Sequence, residues 1–204
     1  MHSSSALIVN TFSPFKDNPV ELDLIGIHGF RSMKFEQKLP TGLGGTSPNI
    51  DLVAESETNV VAIESKFLEY FGPKKPRFKR SYTRKAFSKA EEKWLNLIER
   101  FRDSSPKYLD VTQLIKHYLG LCNTIDSSNR RVTLLYLFWE PDNKDKFELF
   151  RVHRNKLDEF SQDVEGTSIR FAYKSYPELW SEWGEKGIYK EHLRNLRKRY
   201  GIDM

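Results

Sequence analysis

The sequence predicts an α/β fold with a central mixed β-sheet flanked by helices on both sides, and three observations carry that expectation. Short β-branched runs come first, helical spacings follow, and strand and helix then alternate toward the end of the chain. The run from Val132 to Trp139 is the most hydrophobic in the chain and is stopped by Glu140-Pro141, as expected of a central strand. The 204 residues are 38% hydrophobic and 13% aromatic, enough apolar material for the core of a single domain over residues 1–204.

Taken in order, residues 20–30 give mixed signals because Gly26 and Gly29 weaken a helix there, and the segment stays unassigned. Residues 33–39 read as extended. A turn-rich loop from Pro40 to Pro48 leads into a strand at Ile50-Asp51-Leu52-Val53-Ala54. The polar group Glu55 to Asn59 separates it from Val60-Val61-Ala62-Ile63-Glu64-Ser65-Lys66-Phe67, nearly continuous in apolar residues and therefore a strand buried on both faces. The two make a hairpin. Apolar spacings of three and four at Phe87, Ala90, Trp94, Leu97, Ile98 and Phe101 predict a helix over about 83–102, and a second over about 110–122 starts at the cap Asp110. Beyond the strand at 132–139 come a helix at about 152–162, a strand at 168–173 and helices at about 177–183 and 188–200.

Composition excludes several classes. The single cysteine, Cys122, rules out an internal disulfide and a paired-thiolate zinc site. No stretch approaches the roughly 18–20 apolar residues of a membrane span, and the start lacks the basic and apolar regions of a secretion signal. A cytoplasmic setting is expected. Lys plus Arg outnumber Asp plus Glu by 33 to 28, for a net charge of +5, which allows nucleic acid as partner without requiring it.

The chemistry is concentrated in the hairpin. Glu64 and Lys66, two apart on a strand, project to the same side. A turn centred on Glu57-Thr58 pairs Glu55 with Val60, and counting back sets Asp51 opposite Glu64. Directly opposed strand residues have Cβ atoms about 4.5–5.5 Å apart, so two like charges would stand side by side and call for a cation. Mg²⁺ suits one or two carboxylates completed by water and substrate phosphate. Lys66 would then orient a water or offset charge on a pentacovalent phosphorus, which amounts to phosphodiester hydrolysis. Spacing alone leaves a second reading open, in which all three are solvated charges at a sheet margin.

The run Pro48-Asn49-Ile50-Asp51, a short hairpin and then Glu64-Ser65-Lys66 followed by a helix resembles the core of the PD-(D/E)XK superfamily of restriction-endonuclease-like proteins. With Gly44-Gly45-Thr46, Phe67-Leu68-Glu69 and the later Leu135-to-Pro141 run, the chain is similar to a small group of bacterial restriction endonucleases, over about residues 20 to 180. The resemblance implies a restriction-endonuclease-like core, metal binding by Asp51 and Glu64 with the carbonyl of Ser65 completing the shell, and Lys66 assisting the attacking water. It also implies DNA as substrate and defence against foreign DNA as role. Pro48 departs from the pattern by standing three residues before Asp51. Gln113 resembles the glutamine that several members carry on the next helix, although the Q-x-x-x-Y form would put Tyr at 117, where this chain has His117 and then Tyr118. Glu36 and Glu21 are secondary candidates for a further acidic group.

Between Pro73 and Lys89 the chain carries Lys74, Lys75, Arg77, Lys79, Arg80, Arg84, Lys85 and Lys89, interleaved with Phe78, Tyr82 and Phe87, and no acidic residue. Such a segment neutralises phosphates independently of base sequence, or else is a solvated loop and helix start. Gly42 to Gly45 lacks the Gly-Lys-Thr/Ser of a phosphate-binding loop and reads as a turn. The five histidines match no zinc spacing and receive no metal. Trp139, Tyr173, Tyr176, Trp180 and Trp183 read as core. Arg194, Arg197, Lys198 and Arg199 form a basic helix face. No activated nucleophile stands out.

These readings converge on a Mg²⁺-dependent endonuclease, with Mn²⁺ as a substitute, acting on double-stranded DNA. Two alternatives share the features: a catalytically silent nucleic-acid-binding module with the same fold, and a nuclease of repair or transposition. A homodimer would suit double-strand cutting.

Overall fold

The structure, a computed structural model, describes residues 3–43, 46–72, 78, 81–104, 106–126 and 129–204. Its sheet has five strands in the order β1 (Ser32–Lys38), β2 (Asn49–Glu55), β3 (Asn59–Lys66), β4 (Arg131–Phe138) and β5 (Ile169–Ser175). β1, β2 and β3 pair antiparallel, while β3, β4 and β5 run parallel, so the sheet is mixed as expected. Helices α1 (Ser4–Phe12), α2 (Glu92–Arg100), α3 (Val111–Thr124), α4 (Glu148–Asp163), α5 (Tyr176–Glu185) and α6 (Lys190–Tyr200) complete the fold.

Two hydrophobic cores result, one on each face of the sheet. Val60, Ala62, Leu134 and Phe138 face α2, α3 and α4, whereas Val61, Ile63, Leu135 and Leu137 face α1, α5 and α6. This is the period of two read in space, and it explains why β3 and β4 are apolar almost throughout: each residue meets one core or the other. Trp139, Tyr176, Trp180 and Trp183 are buried in the second core, while Tyr173 is only partly buried against the first.

The hairpin turns where the sequence placed it. Ser56 N–H donates to Asn59 O at 2.8 Å, and the register runs from Glu55↔Val60 to Leu52↔Ile63. One expectation needs correction. Residues 83–102 are not one helix: Arg84–Ala86 form a 3-10 turn and α2 begins only at Glu92. The N–H of Glu91 donates to the Tyr118 hydroxyl at 2.8 Å instead of a carbonyl one turn back, which stops the helix from extending toward Phe87. The N-terminal segment, unassigned from sequence, forms α1, with the Ser3 side chain accepting from Ala6 N–H as its cap and Leu7, Ile8 and Phe12 buried. In the unassigned segment 20–30, Leu24 and Ile27 close a tight turn through Ile25 and Gly26, both left-handed.

α3 approaches the end of β1 closely at Gly120, where a Cβ would lie 2.6 Å from both the Cβ and the carbonyl oxygen of Leu39. Gly120→Ala is expected to lower stability by about 1–3 kcal/mol through this overlap, measurable as a shift of the denaturant midpoint; an unchanged midpoint would show that the backbone yields there freely.

Candidate active site

The site lies at the C-terminal end of β3. Because side chains alternate, Glu64 and Lys66 enter the face covered by α3, and Ser65 between them enters the other, where its Oγ is 2.7 Å from the Tyr176 hydroxyl and donates to Ser4 O at 3.2 Å. Glu64 is 2% and Lys66 8% exposed, so neither is a solvated charge at a sheet margin. Lys66 Nζ donates to Glu64 Oε1 and, at 2.7 Å, to Gln113 Oε1. Gln113 is presented by the first turn of α3, where its backbone N–H donates to Asp110 Oδ1 at 3.0 Å, the cap expected there.

Continuing the β2–β3 count beyond Leu52↔Ile63 sets Asp51 opposite Glu64. Backbone pairing ends at that step, and Asp51 reaches across with its side chain: Oδ2 accepts Ser65 N–H at 2.7 Å. The structure thus brings Asp51, Glu64, Ser65, Lys66 and Gln113 together. It adds His117, to which sequence reasoning assigned no metal and no catalytic role. Its Nε2 lies 2.8 Å from Glu64 Oε2, and the residue is fully buried. The signal was present in the i, i+4 spacing of Gln113 and His117, which places both on one side of α3.

Glu36 is exposed and left-handed at φ 53, and drops out of the β1–β2 pairing at the position opposite Asp51. Glu21 is engaged elsewhere, by Asn18 Nδ2 at 2.7 Å. Of the basic segment, Lys74, Lys75, Arg77, Lys79, Arg80 and the side chain of Lys85 lie outside the described residues, as do Gly44 and Gly45. Arg84 is described and faces α2, its Nε donating to Glu99 Oε1 at 2.7 Å.

Electrostatics distinguish the two carboxylates. Burial pushes Glu64 up, but His117 and Lys66 outweigh it and hold the carboxyl below its ordinary range. Asp51 goes the other way. Burial and the charge of Glu64 push it up to about 7, against the lowering effects of the Ser65 N–H and Lys66. Both carboxyls thus face the one ammonium of Lys66. Among the described residues no three His, Cys, Asp or Glu side chains form a metal cage. The donors present, two adjacent carboxylates, fit a hard cation that keeps several waters, such as Mg²⁺, and not a closed zinc site.

Asp51 yields a pH prediction. Its carboxyl is held at about 7 in the fold against an ordinary 3.8. The folded state therefore keeps a proton that the unfolded chain has lost, so this group's contribution to stability falls as pH rises from about 4 to 7 and stays lost above. In EDTA, Asp51→Asn should raise the melting temperature at pH 8, by about 2–4 °C for each kcal/mol regained, and lose that advantage below pH 4. A pH-independent difference would contradict it.

Similarity to known proteins bears on the whole chain. No curated protein and no solved structure matches it. A family model described as Restriction Endonuclease associating with ARP matches residues 1–201, which takes in every strand and helix described above. By that match the chain belongs to the REase-ARP family of restriction endonucleases associating with ARP.

Proposed function

We propose that this chain is a metal-dependent endonuclease of the PD-(D/E)XK type, hydrolysing phosphodiester bonds of double-stranded DNA in defence against foreign DNA. The observation that supports it most is the convergence of Asp51, Glu64, Lys66 and Gln113 at one strand end, with the Asp51 carboxyl pushed well above the ordinary carboxylate range by burial and by Glu64.

In this reading Asp51, Glu64 and the Ser65 carbonyl hold Mg²⁺, or Mn²⁺ in its place. When bound, the cation supplies charge beside the scissile phosphate and a water of lowered pKa. Lys66 stays an ammonium: burial pulls its pKa down, but Glu64, Asp51 and Asp110 together outweigh it and the result lies above the ordinary lysine range. It therefore acts as a donor and positive charge, orienting the attacking water and offsetting charge on the pentacovalent phosphorus, and not as a base. Gln113 Oε1 fixes the direction of that ammonium. In the reaction the water oxygen bonds to phosphorus, the P–O ester bond opposite breaks, and the departing oxygen takes up a proton, so that one water is added across the ester.

The basic run Lys74, Lys75, Arg77, Lys79, Arg80 and Lys85 carries the duplex in this proposal on its sequence alone, with Arg84 joining only if it leaves Glu99. Among the described residues no helix is long and apolar enough to cross a membrane. A cytoplasmic setting, a single domain over 1–204, a homodimer for double-strand cutting and association with an ARP partner belong to the same proposal.

One observation favours the rival reading of a catalytically silent binding module: one oxygen of Glu64 already accepts from Lys66 and the other lies 2.8 Å from His117 Nε2. Incubation with plasmid and linear DNA in Mg²⁺, Mn²⁺ or EDTA separates the two. Cleavage is expected only with metal, with losses of about 10²–10³-fold for Glu64→Ala and Lys66→Ala and about tenfold for Gln113→Ala. Salt-sensitive DNA binding with no cleavage in either metal would establish the binding module. A repair or transposition nuclease would share the chemistry and differ in its DNA substrate.

A further inference from the structure

α3 meets the site at two points one turn apart. Gln113 holds Lys66, and His117 stands 2.8 Å from the second oxygen of Glu64. The burial of His117 is hard to account for by packing. Its ring is fully enclosed and neither ring nitrogen makes a well-aligned hydrogen bond among the described residues, Nε2 meeting Glu64 Oε2 as a 2.8 Å ion-pair contact. An unsatisfied buried nitrogen costs on the order of 1–3 kcal/mol, which a leucine or methionine of similar volume would avoid. The gain that offsets this cost is the contact with Glu64.

We infer that His117 is a positioning residue of this site: with Lys66 on Oε1 and His117 on Oε2, the Glu64 carboxylate is fixed in plane and direction and presents one geometry to the cation. The terminal torsion of a glutamate is otherwise broad, and side chains that orient a metal's ligands commonly decide its affinity. The inference rests on the reading of Asp51 and Glu64 as metal ligands.

Titration calorimetry with Mn²⁺ alone, on the full chain, tests it. His117→Gln keeps an amide nitrogen close to the Nε2 position. His117→Asn carries the same amide one methylene shorter, near Nδ1 and out of reach of Glu64. The Asn variant should bind Mn²⁺ about tenfold more weakly or worse, and the Gln variant should recover most of that loss at a similar melting temperature. Asn and Gln variants that both match wild type, or that lose affinity equally, would overturn the inference. Should the Asn variant fail to fold, His117→Met, which keeps the volume and drops the donor, takes its place with the same expectation. Asp51→Asn separates this failure from that of the underlying reading. If Asp51→Asn abolishes Mn²⁺ binding while the His117 variants leave it intact, only the role of His117 falls. If Asp51→Asn binds as wild type does, or wild type binds no Mn²⁺, the metal site falls and His117 with it.

Discussion

Glu64 carries a charge where water scarcely reaches, and one end of the molecule is organised around answering it. Withdrawing a carboxylate from water costs several kcal/mol even after relaxation, and is tolerated only where partners restore what solvent supplied. Lys66 and His117 do so from either side, one from the same strand and one from α3. Both must be held in turn. Gln113 anchors the lysine, Asp110 caps the helix carrying Gln113 and His117, and the close approach at Gly120 seats that helix against the end of β1. Asp51, brought in by the neighbouring strand, adds a second carboxyl, which burial and the charge of Glu64 push up to about 7.

The sheet makes this possible through alternation. Along the last residues of β3, Glu64 and Lys66 enter the face under α3 while Ser65 enters the face under α1 and α5. Ser65 is tied on both counts, its side chain to Tyr176 and Ser4 and its N–H to Asp51. Glu69 secures the same corner by accepting from Ser4 N–H at 3.1 Å and Phe67 N–H at 2.6 Å. The strand end is thus clamped from both layers, the rigidity that a preorganised charge site requires. At the end of β4, the buried Glu140 is answered by the forked guanidinium of Arg154, at 3.0 and 2.5 Å, so buried acid with an assigned base recurs one strand over.

Most strands were legible from sequence because local pattern and tertiary environment agree: a strand buried on both faces must be apolar throughout, and β3 and β4 are. The Asp51–Glu64 relation could be counted from the hairpin, since a two-residue loop leaves little freedom of register. What escaped depended on contacts distant in sequence. The start of α2 is set by a hydroxyl on Tyr118, which no local pattern reveals. α1 is short and earns its stability from packing Leu7, Ile8 and Phe12 against the sheet. His117 matched no metal spacing and so looked inert, because its partner is a strand glutamate far away in the chain. The left-handed backbone of Glu36 follows from no preference of glutamate.

The proposed function stands on Asp51 and Glu64 binding a divalent cation together. Anomalous scattering from crystals of the protein soaked in Mn²⁺ is the measurement to make. A Mn²⁺ peak is expected between the two carboxylates and beside the Ser65 carbonyl. Peaks confined to other places, or a carboxylate pair that stays empty at saturating Mn²⁺, would contradict it.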